Sequence, residues 1–508
     1  MRKAVGLLLF AVLLNGCCNC DKSSDGERRT AAYLDSVRQQ PPLLRAFLRR
    51  LPKGGDLHSH LSGAIYAESL IDFAAKDGLC VERATAFLVR AKACGPCDPK
   101  SATPAASCAY SDAALYNAMV DAWSMRNWNP AVESGHDHFF ATFGKFSLAT
   151  DKHVGDALAE VATRAAGDHV QYLELMYTPD TEPLKALVAK VSWNNDLARL
   201  REQWMKAGIQ GLVAPAREQL SQEEAKANSL MKCDTPERAA GCGVRLRYLY
   251  QVGRGRPRAM VFAQILLGFE LASADSRFVG LNLVMPEDCS VCMSDFGLHM
   301  QMLDYLHGVY PRVHISLHAG ELVPALVPGG VLGAHIRDSV KLGHAERIGH
   351  GVDVMSEPNP ADLMKEMADK HVLVEICLTS NDVILGVQGK DHPFSAYRHA
   401  GVPVTLATDD EGVSRSDMTH EYLRAVQSYG LSYADLKSLA RRSLEHSFLP
   451  GASLWSDARK FQPVGDCADQ NAGESALSPA CTKFLDSSER AREQWKLEQE
   501  FAGFEKSF

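Results

Sequence analysis

Short runs of branched and aromatic residues recur along this chain of 508 residues, and each is followed by a longer stretch with helical patterning. The runs have the length and composition of buried strands. They number eight, at residues 55–61, 170–177, 244–252, 278–284, 313–319, 347–352, 372–378 and 402–408. Strands that alternate with helices pair in parallel through right-handed crossovers, and eight such units close into a barrel. The pattern therefore predicts an α/β fold, a (β/α)8 TIM-like barrel with extra helices.

Three segments lie outside this alternation. Residues 78–111 are rich in Ala, Cys, Pro and Ser and predict a disulfide-bearing insertion within a barrel domain of residues 51–450. Residues 18–50 predict an N-terminal linker with helices. Residues 451–508 predict a C-terminal extension that ends in a charged helix.

The first residues of the chain have the features of an export signal. A positive pair precedes an apolar run that ends at Leu14 and is too short to span a bilayer as a stable helix. The following "LNGC" resembles the lipobox of bacterial lipoproteins, in which the cysteine, here Cys17, carries the lipid. We therefore expect a signal peptide over residues 1–17 and an exported protein, periplasmic or held at the cell envelope by a lipid anchor at Cys17. Asn15 departs from the motif, so secretion without an anchor is the alternative, and delivery to an outer membrane stays open.

Cysteine usage agrees with an oxidising compartment. Eleven of the 14 cysteines lie beyond the leader region, mostly in loop-like sequence. Close spacing predicts three local disulfides, which are Cys233 with Cys242, Cys289 with Cys292, and Cys467 with Cys481. The four cysteines of the insertion allow three pairings, which the sequence leaves open. Cys377 lies in an apolar strand pattern and predicts a free buried thiol.

The composition limits the class of partner. A hydrophobic content of 46% and a charged content of 23% are typical of globular proteins. The formal net charge of -8 provides no basic field to neutralise a phosphate backbone. Nucleic acid is therefore not an expected partner, and the sequence carries no signal for an oligomeric state.

Polar residues stand out at the ends of the predicted strands, where a barrel carries its chemistry. His58 and His60 are two residues apart in the first strand, so both imidazoles point to one face. Taken alone, this pair also fits ordinary polar alternation, and metal-dependent phosphoesterases of the PHP type begin with a similar "DLHSH" phrase. The remaining candidates follow the fifth, sixth and eighth strands, and they are His318, Glu321, His350, Asp409 and Asp410.

These phrases, in this order and at these strand ends, resemble the adenosine deaminase family of zinc amidohydrolases. The resemblance extends over most of residues 45–450 and includes "SLHAGE", "RIGHGVD", "EICLTSN" and "LATDDEG". It implies a barrel of the metal-dependent hydrolase type with one Zn²⁺ per chain. By position, it implies that the zinc ligands are His58, His60, His318 and Asp409.

The resemblance also implies roles in catalysis and substrate binding. Glu321 would protonate the ring nitrogen beside the attacked carbon, His350 would orient or deprotonate the water, and Asp410 would contact the imidazole edge of a purine. Three further positions are expected beside the substrate, and they are Ser62, Gly63 and Met285. Ser62 stands where many family members carry an acid that contacts the ribose 5′ hydroxyl, and Met285 stands near a usual glycine. Both departures bear on the identity of the substrate.

The expected function is zinc-dependent hydrolytic deamination of adenosine or 2′-deoxyadenosine to inosine or 2′-deoxyinosine and ammonia. Three imidazole nitrogens and one carboxylate suit Zn²⁺ with a position left for water. One alternative is deamination of another aminopurine compound, either adenine, a nucleotide or a modified nucleoside. Another is a non-catalytic extracellular nucleoside-binding protein. The arginine-rich run from Arg254 to Arg258 is expected to be a solvated loop, with contact to an anionic substrate group as the alternative.

Overall fold

The computed structural model describes residues 24–179, 182–328, 331–470, 472–473 and 477–508. The expected signal peptide and lipid-anchor site, residues 1–17, lie outside the described residues. Within the described ranges, no helix is both long enough and apolar enough to cross a membrane.

Eight parallel strands form the centre of the fold, each hydrogen-bonded to the next in chain order. They are β1 (Gly54–His60), β2 (Val170–Tyr177), β3 (Arg245–Gly253), β4 (Phe278–Val284), β5 (His314–Ala319), β6 (Arg347–His350), β7 (Leu373–Ile376) and β8 (Val404–Leu406). The barrel closes just past β8, where the Asp409 amide donates to the His58 carbonyl oxygen at 2.9 Å. The predicted barrel is confirmed, and each predicted strand lies within two residues of the observed bounds.

Helices surround the barrel, which is why the strands read as apolar runs: every residue of β1, β2 and β4 is buried. The α-helices are Asp25–Val37, Pro41–Arg50, Ala67–Lys76, Ala113–Ala122, Gly135–Phe146, Val154–Gly167, Glu182–Val188, Leu197–Ala207, Val213–Leu230, Arg258–Ala274, Ser290–Ser294, Phe296–Val309, His335–Lys341, Pro360–Asp369, Leu378–Leu385, Phe394–His399, Glu411–Ser414, Met418–Tyr429, Tyr433–Glu445, Pro479–Asp486 and Glu489–Glu505.

The insertion is held by two disulfides. Cys80 pairs with Cys94 and Cys97 with Cys108, which decides among the three pairings that the sequence left open. The insertion also contains a two-stranded hairpin, Cys80–Val81 with Leu88–Val89. The three predicted local disulfides are confirmed, and so is the buried free thiol of Cys377.

The last helix, Glu489–Glu505, covers the N-terminal ends of the strands. Its Glu493 accepts hydrogen bonds from Gln171 at the start of β2, at 2.7 Å, and from Arg245 at the start of β3, at 2.8 Å. Glu505 accepts from Lys437 at 2.8 Å. This end of the barrel is therefore closed, and the opposite end, at the carboxyl ends of the strands, is left for a site.

A buried group of charges fills the barrel interior. Arg347 of β6 donates to Glu174 and to Glu375, each at 2.6 Å, and its guanidinium lies 3.8 Å from the ring centroid of Phe448. The arginine and both carboxylates are at most 1% exposed. Removing one member of such a group leaves an uncompensated buried charge, so the group fixes the position of Glu375.

Candidate metal centre and active site

Four of the predicted residues meet at the carboxyl ends of the strands. The Nε2 atoms of His58 and His60 each lie 3.1 Å from the Nε2 atom of His318. The Oδ1 atom of Asp409 lies 3.3 Å from Nε2 of His60 and 3.6 Å from Nε2 of His58. All four side chains are buried, and one ligand atom from each lies within 4.8 Å of the others. The fold therefore assembles a compact set of three nitrogens and one carboxylate oxygen.

Each histidine of this set is oriented through its other ring nitrogen. The Nδ1 contacts are His58 with Glu375 at 2.7 Å, His60 with the side-chain oxygen of Gln251 at 3.0 Å, and His318 with the side-chain oxygen of Asn282 at 2.8 Å. An oxygen acceptor at Nδ1 selects the tautomer that carries its lone pair on Nε2. Lone pairs only 3.1 Å apart repel each other unless a proton or a cation lies between them. The donor set therefore fits a bound divalent metal ion.

Asp409 is held ionised. Burial alone would raise its pKa, but hydrogen bonds from the protonated imidazoles of His58 and His60 hold the pKa well below its usual range, and a cation bound between these groups would act in the same direction. Ser380 donates to Oδ2 at 2.6 Å, which leaves Oδ1 to the histidines. A metal ligand must be deprotonated, and Asp409 meets that condition.

Three residues at the site have left-handed backbone conformations that favour glycine. The φ angles are +69° at His350, +58° at Asp409 and +89° at Met285. Such conformations cost about 1 to 3 kcal/mol each in non-glycine residues and persist only where the surroundings enforce them. Local strain therefore accompanies the placement of these side chains.

Glu321 and Glu287 are neighbouring buried carboxyls in opposite protonation states. Burial, followed by the negative charges of Asp409 and Glu287, raises the pKa of Glu321 well above its usual range. Burial alone would also raise the pKa of Glu287, but a hydrogen bond from His335 and the charge of Arg254 lower it to about 2. The backbone amide of Glu321 donates to Glu287 at 2.5 Å. Burial and charge therefore favour the protonated form of Glu321, beside a carboxylate that is held ionised.

His350 is a neutral imidazole with one free nitrogen. Burial lowers its pKa to about 3. The side-chain amide of Asn381 donates to Nδ1 at 3.0 Å, and Oε1 of Glu321 lies 3.6 Å from the same atom. The ring centroid lies 4.9 Å from that of His58, and Nε2 has no hydrogen-bond partner among the described residues. His350 can therefore hold a water molecule or a substrate atom beside the metal set.

The other predicted substrate contacts form two groups, Gly63 with Asp410, and Ser62 with Met285. The buried Oδ1 of Asp410 has no partner among the described residues, and burial raises the pKa of this carboxyl well above its usual range. A Cβ added at Gly63 would lie 1.6 Å from that oxygen, so the glycine leaves room for Asp410. Ser62 and Met285 line a cavity of about 630 Å³ next to the metal set.

The run from Arg254 to Arg258 was interpreted as a solvated loop, and this interpretation is wrong for Arg254. Arg254 is not in a solvated loop, since it is 2% exposed. Its guanidinium donates to the carbonyl oxygens of Met285 at 3.1 Å and of His318 at 3.2 Å. These carbonyls lie at the ends of neighbouring strands, where strand pairing stops. The guanidinium of Arg254 supplies the hydrogen-bond donors that a neighbouring strand no longer provides.

The residues that orient the metal set and His350 were not predicted. They are Glu375, Gln251, Asn282, Ser380 and Asn381. A signal was present for two of them, because Glu375 and Asn282 are polar residues inside otherwise apolar strand patterns. A buried polar group in a strand needs a partner, and here the partner is a histidine.

Asp353, just beyond β6, provides a test of how burial affects stability. Burial, and then the charge of Glu287, raises its pKa to about 7, whereas the unfolded value is about 3.9. The folded state thus binds more protons between these values, so this group lowers the free energy of unfolding as the pH rises through that window. We expect Asp353→Asn to raise the melting temperature at pH 8 and to have a smaller effect at pH 5. The exposed Asp362→Asn should change it little, and an equal shift of Asp353→Asn at both pH values would contradict the assignment.

Comparisons with known proteins identify the family. Residues 125–454, well over half of the chain, match the profile of the family described as adenosine deaminase. The chain is 36% identical over 304 residues to the adenosine deaminase of Enterococcus faecalis, covering 59% of this chain and 74% of that enzyme. It is 31% identical over 137 residues to the adenine deaminase of Rhizobium leguminosarum, covering 27% of this chain and 39% of that enzyme. The matched segment spans about two fifths of several other curated relatives.

A solved structure shares the fold. The Arabidopsis ADAL structure complexed with GMP superposes with a TM-score of 0.51 at 22% identity, covering 80% of this chain and 94% of that chain. The match to the family profile begins at residue 125, after β1. His58 and His60 therefore lie outside the matched residues, and the barrel fold places them in the site. Profile, relatives and barrel agree, and this chain belongs to the adenosine deaminase family of the amidohydrolase superfamily.

Proposed function

We propose that this protein catalyses the hydrolytic deamination of a 6-aminopurine nucleoside, with adenosine and 2′-deoxyadenosine giving inosine and 2′-deoxyinosine with release of ammonia. The observation that carries the proposal is the protonated Glu321 and the neutral His350 beside the four-residue metal set. Adenosine deaminases and adenine deaminases among the relatives support the exocyclic amine as the group removed. Because those relatives differ in the group attached to the purine, another aminopurine compound is the second candidate.

The proposed cofactor is one Zn²⁺ ion held by His58, His60, His318 and Asp409. Three neutral imidazoles and a carboxylate form a donor set that zinc hydrolases use, with a position left open. Zn²⁺ there would act as a Lewis acid and lower the pKa of water from 15.7 to about 7.

The chain's own residues supply the proton transfers. Addition of water to the carbon that bears the amine breaks the aromaticity of the ring, so the adjacent ring nitrogen must gain a proton. Glu321 donates that proton, because burial and the charges of Asp409 and Glu287 raise its pKa and favour its protonated form. His350 is neutral and its Nε2 has no described partner, so it orients the attacking water; taking the water's proton would require the tautomer with its lone pair on Nε2. Asp410, which its raised pKa also keeps protonated, donates to the imidazole edge of the purine.

The first test measures reaction and binding together. Purified protein of known metal content is incubated with adenosine, deoxyadenosine, adenine and AMP, and ammonia release and the ultraviolet spectrum are followed. Turnover of the nucleosides is the expected result. Binding of a nucleoside without turnover would instead support the extracellular binding protein, and turnover of adenine alone would support the second candidate.

We also propose that the protein is exported and anchored through Cys17. Five disulfides among the described residues support an oxidising compartment. The apolar N-terminal run and the lipobox-like phrase support the anchor. Cell fractionation should place the protein with membranes and Cys17→Ser in the soluble envelope fraction. Recovery of both forms in the cytosol would contradict the proposal.

A further inference from the structure

The cavity beside the metal set contains an arginine whose side chain has no hydrogen-bond or ion-pair partner among the described residues. The cavity holds about 630 Å³, and its lining includes Ser62, Gln251, Arg256 and Met285. Gln251 links it to the metal set, because the same side chain accepts from Nδ1 of His60 at 3.0 Å. A nucleoside with its purine at the metal set would therefore place its sugar and any 5′ substituent in this cavity.

The two described acidic side chains that line the cavity each form an ion pair with a cation, whereas its arginine pairs with no acidic side chain that the structure describes. Asp151 forms an ion pair with Arg90 at 2.8 Å, and Glu182 forms one with Lys185. The backbone amide of Arg256 donates to the carbonyl oxygen of Gly253 at 3.2 Å, but its exposed side chain forms no hydrogen bond and no ion pair with another residue in the described part of the chain. The cavity thus presents one guanidinium whose donors are free.

The other two arginines of the run from Arg254 to Arg258 have partners for their side chains, which sets Arg256 apart. Arg254 is buried against two carbonyl oxygens. Arg258 makes two hydrogen bonds of 2.7 Å to the carboxylate of Asp295. A guanidinium offers paired N–H groups that match the two oxygens of a carboxylate or a phosphate.

The position of Arg256 is set by the end of β3. A Cβ added at Gly253 would lie 3.0 Å from Nε of Arg256 and 3.3 Å from the sulfur of Met285, so the arginine crosses over the last residue of the strand beside Met285. Ser62, which carries an uncharged hydroxyl, lines the same cavity. No described acidic side chain forms an ion pair that would compete with an anionic ligand for Arg256.

We propose that the preferred substrate carries an anionic group, a phosphate or a carboxylate, on its sugar, and that Arg256 binds this group and determines specificity. The proposal rests on the proposed deamination at the neighbouring site. It predicts that adenosine is a substrate and that an analogue with a phosphate or carboxylate on its sugar is a better substrate.

The test compares matched substrates and matched arginines. Values of kcat/KM are measured for adenosine, 5′-AMP, 3′-AMP and the 5′-carboxylate analogue of adenosine with the wild-type protein, Arg256→Gln and Arg258→Gln. Because a charge-assisted hydrogen bond is stronger than a neutral one, we expect wild type to prefer the best anionic substrate over adenosine by about 10- to 100-fold. Arg256→Gln should lose that preference and keep its activity on adenosine, and Arg258→Gln should retain it. The analogues distinguish phosphate from carboxylate and the 5′ from the 3′ position.

Two further measurements keep the proposal separate from the proposed reaction. Ser62→Asp adds a negative charge to the lining of the cavity. It should therefore lower kcat/KM for the anionic substrates more than kcat/KM for adenosine. Binding of IMP and inosine by calorimetry needs no turnover, and Arg256→Gln should weaken IMP alone. Equal affinity of the wild type for IMP and inosine, or an equal effect of Arg256→Gln on both, would overturn the role of Arg256. Absence of turnover together with selective IMP binding would overturn only the proposed deamination.

Discussion

Replacement of Glu321 by glutamine is expected to lower kcat on adenosine by about 10²- to 10⁴-fold, the usual contribution of a general acid. Glutamine keeps the size and the hydrogen-bonding reach of the side chain but has no acidic proton to give to the ring nitrogen. Glu321 is not one of the four residues of the metal set, so metal content should stay at the wild-type level. Steady-state kinetics with elemental analysis of the same preparation measure both quantities.

The pH profile separates loss of the acid from general damage. Burial and the charges of Asp409 and Glu287 raise the pKa of Glu321, so wild-type activity should persist well above the ordinary range of a glutamate and decline as the pH rises through that raised value. The residual activity of Glu321→Gln should lack this decline. Glu346→Gln, which alters an exposed carboxyl before the start of β6, should match wild type. Full activity in Glu321→Gln would remove the acid from the mechanism.

The barrel could be predicted because its strands are buried on both faces. A run such as Val170–Tyr177 is apolar throughout, with helices covering its outer face, and this pattern differs from the helical segments around it. The positions of the candidate ligands at strand ends followed from the same argument, since the carboxyl ends of parallel strands meet at one end of a barrel. Strand bounds and the clustering of the candidates at one end of the barrel were thus accessible from the strand pattern, whereas the family resemblance selected His58, His60, His318 and Asp409 as the metal set.

The orienting contacts were not accessible, because they depend on which strands face each other across the barrel. Glu375 of β7 meets Nδ1 of His58 of β1 only after the barrel closes, and no spacing along the chain encodes that distance. The burial of Arg254 was not accessible for the same reason. Its side chain donates to the carbonyl oxygens of Met285 and His318, which lie at the ends of other strands. The left-handed backbone of Met285 was not predicted either, since the sequence marked this position only as a departure that bears on the substrate.

Removal of the metal is expected to abolish activity, and His318→Ala is expected to prevent its rebinding. Nε2 of His318 lies 3.1 Å from Nε2 of both His58 and His60. The substitution therefore removes the one nitrogen donor of the set that is this close to both of the others. After dialysis against a chelator, activity of the wild type should fall below detection and return on addition of Zn²⁺. His318→Ala should contain little metal and should not recover, as measured by elemental analysis and ammonia release.

Thermal unfolding checks the same site without activity. A ligand that binds only the folded state stabilises it in proportion to the logarithm of its concentration over Kd. Added Zn²⁺ should therefore raise the melting temperature of the metal-free wild type and leave that of His318→Ala unchanged. The control is His371→Asn, which alters an exposed histidine just before the start of β7, at the opposite end of that strand from the metal set. Asparagine tolerates the left-handed backbone of this position, so the variant should respond to Zn²⁺ as the wild type does. Equal stabilisation of His318→Ala and the wild type would place the bound ion elsewhere in the protein.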